Sequence, residues 1–415
     1  MKRRLFIAVP WLLLIIVGLY HGKGLLTGSA VDFSVYHAGG RAILDQAPLY
    51  DLAVTRSGSR RALPFTYPPF AAVLFAPLAL LPSRSARLAF ELVSFLALVL
   101  TCWLVAGWAP RLAGRRTSPG MQGKLEVSSL AALILAGSLM FQPVVFCLEI
   151  GQVGLILLAA VVADAVLRWR GSGLLTGAAT GIKITPAVFV VLMVLTRRWA
   201  EAARAAGAFA VTVAIGFAVQ PGEAWRFWTS LLFDTERVGA TARVSNGSIA
   251  GVFDRLKLGE LGGTLSLLAI LLVFVGGTWL AVSWWRRDRL VSTCVMGMTG
   301  LAISPISWAH HWVWFVPLIT CLLALAFRAK AAGSIKLCIT LTVVALGTSA
   351  FLLIDPRYII RDRAFGPVSV PLNQLLAAGY LITGLLSLVV LWAALRLPIE
   401  SDQAVPSAPA RGVAG

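Results

Sequence analysis

Long apolar runs alternate with short clusters of Arg and Lys along the whole chain, and no other feature restricts its fold so strongly. Runs such as 86–108, 127–148 and 264–285 reach the roughly 20 residues needed to cross about 30 Å of hydrocarbon. Only helices and closed barrels satisfy every backbone polar group there, and long continuous runs rather than alternating segments mean helices. Composition agrees: 58% hydrophobic and 13% charged residues lie far from the about 45–50% and about 25% of soluble domains. The expected fold class is an all-α polytopic membrane protein.

The formal charge of +18 would point to nucleic acid in a soluble protein. Here the basic residues recur between apolar runs, which is the positive-inside pattern, and no stretch is long and polar enough for a basic soluble domain. No nucleic-acid partner is expected. Cys102, Cys147, Cys294, Cys321 and Cys338 sit in or beside apolar runs without CxxC spacing or His partners, and read as small core hydrophobes.

The charges orient the spans. With Lys2, Arg3 and Arg4 inside, the run 5–20 is read as a retained first span, and 21–85 lies outside. Within that segment 70–81 is apolar but short and punctuated by Pro77 and Pro82, so it is expected to lie at the interface. The run 86–108 then brings Arg111, Arg115, Arg116 and Lys124 inside, 127–148 places Glu149 and Gln152 outside, and 153–167 returns to Arg168 and Arg170. Two full spans do not fit in 171–196, which carries basic residues at both ends. A pair of short helices fits, broken at Gly181-Ile182-Lys183-Ile184-Thr185-Pro186, and irregular backbone at that depth requires a cavity or surrounding protein. Further spans are 205–219, 264–285, 290–303, 312–327, 337–354 and 372–395, with outer loops at 220–263, 304–311 and 355–367. Residues 1–397 are expected to form one integral membrane domain, and 398–415, rich in Pro, Ala and Ser, a disordered cytoplasmic tail.

The polar insert 31–69 holds the first candidate for chemistry. Asp32, just beyond the first span, is either an interfacial cap or a general base kept reactive by a partly buried setting. Lys183 either snorkels to an interface or pairs with an anion at the broken helix. His310 and His311 either pack or hydrogen-bond a departing phosphate; neighbours on a helix point about 100° apart, so joint ligation of one metal is not expected. Glu149 is a second acid or a helix cap, and Asn246, in Asn-Gly-Ser, reads as a turn. Trp225, Trp228, Trp308 and Trp312 read first as an interfacial belt.

In order along the chain come Asp32-Phe33-Ser34-Val35-Tyr36, Pro48-Leu49-Tyr50, Phe65-Thr66-Tyr67-Pro68-Pro69, Gly151-Gln152, Lys183-Ile184-Thr185-Pro186 and Ser304-Pro305-Ile306-Ser307-Trp308-Ala309-His310-His311. This series resembles glycosyltransferase family 87. The resemblance implies a GT-C-like bundle of about ten to twelve transmembrane helices, whose first outer loop carries interfacial helices. It implies transfer of a hexose, mannose before others, from a polyprenyl-phosphate sugar donor to a lipid or glycan acceptor, with inversion, on the outer face of a bacterial cytoplasmic membrane. Asp32 would deprotonate the acceptor, and Lys183 with His310 or His311 would hold the donor phosphate. Tyr36, Tyr67, Gln152 and Trp308, in the same motifs, are expected to contact substrate. One departure is Gly154, where the family often carries Asn after Gly-Gln-Val. Asp32 and Glu149 are too few for a divalent cage, and the family points to metal-independent transfer, so no cofactor is expected. A competing class is a transporter or flippase of lipid-linked sugar, but no internal repeat is evident.

Overall fold

In the computed structural model, which describes residues 2–27, 30–55, 62–167, 169–354 and 370–399, the apolar runs are helices. Among the described residues, β structure is limited to a two-residue ladder, Val54–Thr55 with Ala62–Leu63, and a bridge between Asn246 and Trp308. Arg168, the loop 355–367 and the tail from residue 400 lie outside the described residues.

The first run forms α1 (Lys2–Thr27). The polar insert contributes α2 (Val31–Leu44) and α3 (Pro69–Ala79), the latter opened by a proline in its first turn, where the missing N–H has no helical partner to lose. These helices approach closely because Gly40 faces α3: a Cβ there would stand 2.6 Å from the Phe75 carbonyl oxygen. Next, α4 (Ser83–Leu112) runs 30 residues, about 45 Å at about 1.5 Å per residue.

The expected span 127–148 is instead α5 (Gly120–Ser138) and α6 (Gln142–Glu149), bent by 77°. Phe141 is extended and Pro143 sits in the first turn of α6, so one helix cannot continue into the other. There follow α7 (Gly154–Val166), α8 (Leu174–Ile182) and α9 (Ala187–Leu195), the last two being the expected short helices on either side of Lys183. The chain then forms α10 (Trp199–Val219), α11 (Pro221–Thr229), α12 (Ile249–Leu256), α13 (Gly259–Trp285) and α14 (Arg289–Ile303). A tight 3-10 turn, Ala309–Trp314, leads into α15 (Phe315–Ala331), followed by α16 (Ile335–Leu352), α17 (Val370–Ala377) and α18 (Gly379–Ala394).

Among the described residues, five helices are long and apolar enough to cross a membrane, or six with the bent α5–α6 pair, by length and composition. Shorter apolar helices of 10–17 residues accompany them, and the sequence count of ten to twelve spans includes helices of that shorter kind. Leu268, Leu271, Leu272 and Val275 of α13 are exposed, an apolar face of the kind that a soluble monomer rarely shows and hydrocarbon covers. The main core joins α4, α7, α14 and α15 through residues such as Leu98, Leu155, Val291 and Phe315. A second cluster, Phe33, Tyr36, Phe65, Phe75, Phe90 and Val153, ties α2 and α3 to the start of α4 and α7. Cys102, Cys147, Cys294 and Cys321 are buried and Cys338 half-buried, all as free thiols.

The long α4 separates two chemically different ends. Its first turn adjoins the polar insert, where His37 Nε2 lies 3.5 Å from the Leu81 carbonyl oxygen. At its far end the Arg111 carbonyl oxygen accepts from Arg328 Nη1 at 3.5 Å, Arg328 Nε donates to the Pro398 carbonyl at 2.7 Å, and Arg287 Nη1 donates to the Leu397 carbonyl at 3.0 Å. Basic clusters from separate connections therefore meet at the end remote from the insert, as the charge pattern requires. Asp288 secures that end, capping α14 through the Val291 N–H at 2.9 Å and accepting the Trp108 indole N–H at 2.7 Å.

Candidate active site

The turn between α6 and α7 builds the site. Gly151 adopts φ +68°, and a Cβ on it would stand 2.6 Å from Phe33 Cβ, so glycine meets both the conformation and the close approach. The turn brings two carbonyls to the start of α2, which has no side-chain cap. Ala30 N–H donates to the Glu149 carbonyl at 3.0 Å, and the N–H groups of Asp32 and Phe33 donate to the Ile150 carbonyl at 2.9 and 3.1 Å. Orphan donors of a helix N-terminus are thus satisfied by the loop that carries Gln152. The loop and the aspartate are latched together.

Gln152 is 2% exposed, not at an open outer turn as the hydropathy placed it. Its Nε2 donates to Asp32 Oδ2 at 2.5 Å, and its Oε1 accepts the Tyr36 hydroxyl at 2.6 Å. Tyr67 closes the network: its hydroxyl lies 2.9 Å from that of Tyr36 and 3.1 Å from Gln152 Nε2. Tyr36 is fully buried and stacks on Phe75 with ring centroids 4.6 Å apart. Asp32 lies in the first turn of α2, which is not among the helices long and apolar enough to span, and loss of hydration raises its carboxyl to about 6; the Lys183 charge and the Gln152 hydrogen bond oppose that rise.

Lys183 leaves α8 in an extended conformation (φ −150°, ψ 131°), and Pro186 restarts the helix as α9. Its Nζ lies 3.1 Å from His311 Nε2 and 5.4 Å from the centre of the Tyr67 ring. An ammonium can only donate, so Nε2 of His311 accepts and the ring proton sits on Nδ1. The His310 ring stands nearly perpendicular to that of His311, with centroids 4.5 Å apart, and also packs against Phe146. Both histidines line the cavity, where only one of the two was expected to face it.

A cavity of about 600 Å³ collects Asp32, Tyr36, Tyr67, Gln152, Lys183, Trp308, His310 and His311. A second space of about 230 Å³, lined mainly by apolar residues of α7, α9, α14 and the turn before α15, shares Lys183, Thr185, Ser304, Ser307 and His311 at its edges, all but Ser307 also facing the first. Lys183 and His311 therefore line both spaces. Among the described residues no group of three or more His, Cys, Asp or Glu is arranged to hold a metal ion.

Asn246 was legible only as a turn. It is buried with both amide groups fully engaged: Nδ2 donates to the Thr241 and Pro305 carbonyls at 2.9 and 3.0 Å, and Oδ1 accepts from Ser307 and Ser248 N–H at 2.9 and 3.1 Å. It pins the segment 241–248 to the stretch that carries Trp308 and the histidines. The one local signal was Ser248, which caps α12 through the Gly251 N–H at 3.1 Å. Asn246→Ala strands buried backbone groups, each costing about 1–3 kcal/mol, so a clearly lowered melting temperature in detergent is expected, together with weaker donor binding. Trp225 is exposed, whereas Trp312 is 1% exposed and stacks between Phe315 and Tyr380, so the belt reading does not hold for Trp312. Trp308 lines the cavity instead.

A family model described as "Glycosyltransferase family 87" matches residues 65–305. The chain belongs to glycosyltransferase family 87. It is 37% identical over 300 residues, 71% of this chain and 69% of the relative, to the polyprenol-phosphate-mannose-dependent alpha-(1-2)-phosphatidylinositol pentamannoside mannosyltransferase of Mycolicibacterium smegmatis. It is 34% identical over 310 residues, 72% of this chain and 71% of the relative, to the polyprenol-phosphate-mannose-dependent alpha-(1-2)-phosphatidylinositol mannoside mannosyltransferase of Mycobacterium tuberculosis. No solved structure gives a significant match. Within this family-87 chain, Tyr67, Gln152 and Lys183 fall inside the matched residues, whereas Asp32, Tyr36, Trp308 and the two histidines fall outside and join them through the shared cavity.

Proposed function

We propose that this family-87 enzyme transfers a hexose, mannose by analogy with its relatives, from a polyprenyl-monophosphate donor to a lipid or glycan acceptor. One observation carries the proposal: a single cavity is lined by the Asp32 carboxylate and by the Lys183–His311 pair, and that pair also lines a second, smaller and mainly apolar space. Direct displacement at an anomeric carbon needs that division, with a base for the incoming hydroxyl and positive charge for the departing phosphate.

In this reading the donor phosphate rests on Lys183 and His311, its prenyl chain leads into the apolar space, and its sugar faces Asp32. Asp32 takes the acceptor hydroxyl proton on Oδ1 while Gln152 occupies Oδ2. The acceptor oxygen bonds to the anomeric carbon as the bond to phosphate oxygen breaks, the polyprenyl phosphate leaves with the electron pair, and configuration inverts. Gln152, Tyr36 and Tyr67 set the orientation of the base. The basic clusters at the remote end of α4 support an active site on the outer face of the cytoplasmic membrane.

Purified enzyme is expected to transfer radiolabelled mannose from a short-chain polyprenyl phosphate to a membrane lipid extract. Only ionised Asp32 can accept a proton, so the rate should rise with pH through about 6 and level off above it. Donor binding without transfer at any pH would instead fit a flippase; a rate that is flat through this range would remove Asp32 as the titrating base.

A further inference from the structure

The outer segment between α11 and α12 contributes two more cations to the large cavity, Arg237 and Arg243. Arg237 is held in place: Nη2 donates to the Tyr50 and Phe65 carbonyls at 3.2 and 3.3 Å, and the guanidinium lies 5.8 Å from the centre of the Tyr50 ring. Carbonyl dipoles and a ring face orient this group without cancelling its charge. Arg243 is fixed through its backbone, since its carbonyl accepts from Nη1 of the buried Arg255 at 2.9 Å, and the same Nη1 holds the Asn246 carbonyl at 2.8 Å.

Among the described residues neither Arg237 nor Arg243 has a carboxylate within ion-pair distance, although Asp234 and Asp32 line the same cavity. Lys183 borders the apolar space, whereas these two arginines do not. The cavity is thus lined by cations from two parts of the chain, Lys183 after α8 and the two arginines of the segment between α11 and α12. A transferase that brings two lipids together has one phosphate accounted for at Lys183. Guanidinium groups match a phosphate oxyanion by charge-assisted, bidentate hydrogen bonds.

We infer that Arg237 and Arg243 form a second anion subsite, which takes the phosphodiester of an anionic lipid acceptor and leaves its sugar hydroxyl to Asp32. The word acceptor rests on the proposed transfer; the binding of a phosphodiester does not.

The test is equilibrium binding to the full chain in detergent, using glycerophosphoinositol mannoside as the phosphodiester probe and an alkyl mannoside as the phosphate-free probe. Wild type is expected to bind the phosphodiester at least about tenfold more tightly, the scale of a charge-assisted hydrogen bond. Arg243→Ala, whose side chain makes no hydrogen bond to the described residues, should lose most of that margin, with binding of the alkyl mannoside and of polyprenyl phosphate unchanged. Arg237→Lys keeps the charge but not the fork and should lose part of it. Equal binding of the two probes by wild type, or equal weakening of both probes or of polyprenyl phosphate in Arg243→Ala, overturns the subsite. Intact phosphodiester preference in an enzyme that transfers nothing counts against the reaction and leaves the subsite standing.

Discussion

Asp32→Asn is expected to lower kcat by about 10²–10⁴, the range that a positioned general base contributes, while donor binding stays near the wild-type value. Asparagine has the shape of aspartate and can turn its amide oxygen toward Gln152 Nε2, which now donates to Oδ2 at 2.5 Å, so the Tyr36–Gln152–Tyr67 network survives. What is lost is the ability to accept a proton. A control at Gln152 separates the base from its support: Gln152→Ala should reduce kcat less and shift the acidic limb of the pH profile, because the carboxylate loses a hydrogen bond that favours its charged form. Single-turnover transfer beside equilibrium donor binding reads both. Undiminished turnover in Asp32→Asn would move the base elsewhere in the cavity.

The second large effect is expected at Lys183. Lys183→Met keeps the length and apolar stem of the side chain but removes the charge, and truncating one partner of a desolvated charge interaction costs about 2–5 kcal/mol, or roughly 30-fold to 4,000-fold in kcat/KM. The loss should fall on the donor. Binding of polyprenyl phosphate should weaken by a similar factor, because among the described residues Lys183 is the one Lys or Arg that lines the apolar space, with His311 Nε2 3.1 Å away. Lys183→Arg is not a conservative control, since a planar fork replaces a compact ammonium in a space shared with the Tyr67 ring. If Lys183→Met binds the donor normally and instead loses affinity for the acceptor, the two phosphate positions are reversed.

The residues of the site were legible in the sequence, but their relations were not. Asp32, Tyr67, Gln152, Lys183 and the histidine pair each stood out locally, as a charge, a turn or a break where an apolar helix should have continued. Hydropathy placed Gln152 in an open turn because a window average sees polar residues only as interruptions. It is buried because Gly151 and the capping of α2 fold the turn inward. Asn246 and Arg237 went unread for a similar reason: an asparagine in Asn-Gly-Ser and an arginine in a polar loop have ordinary local explanations. Trp312 was misplaced at the interface because aromatic residues near a span end satisfy the belt rule whether they face lipid or the core.

The sequence by itself determined the class of molecule, most of its apolar segments, the break at Lys183 and the basic clusters between segments. Those properties arise from transfer of local segments between water and hydrocarbon, which sums over neighbouring residues and needs no knowledge of distant ones. Only the tertiary structure decided the chemistry of the site. The bond from Gln152 to Asp32 spans 120 positions and the contact of Lys183 with His311 spans 128. Such pairings depend on how helices pack, on a glycine turn capping a helix far away in the chain, and on an asparagine that pins one loop to another. None of these relations is contained in a local window.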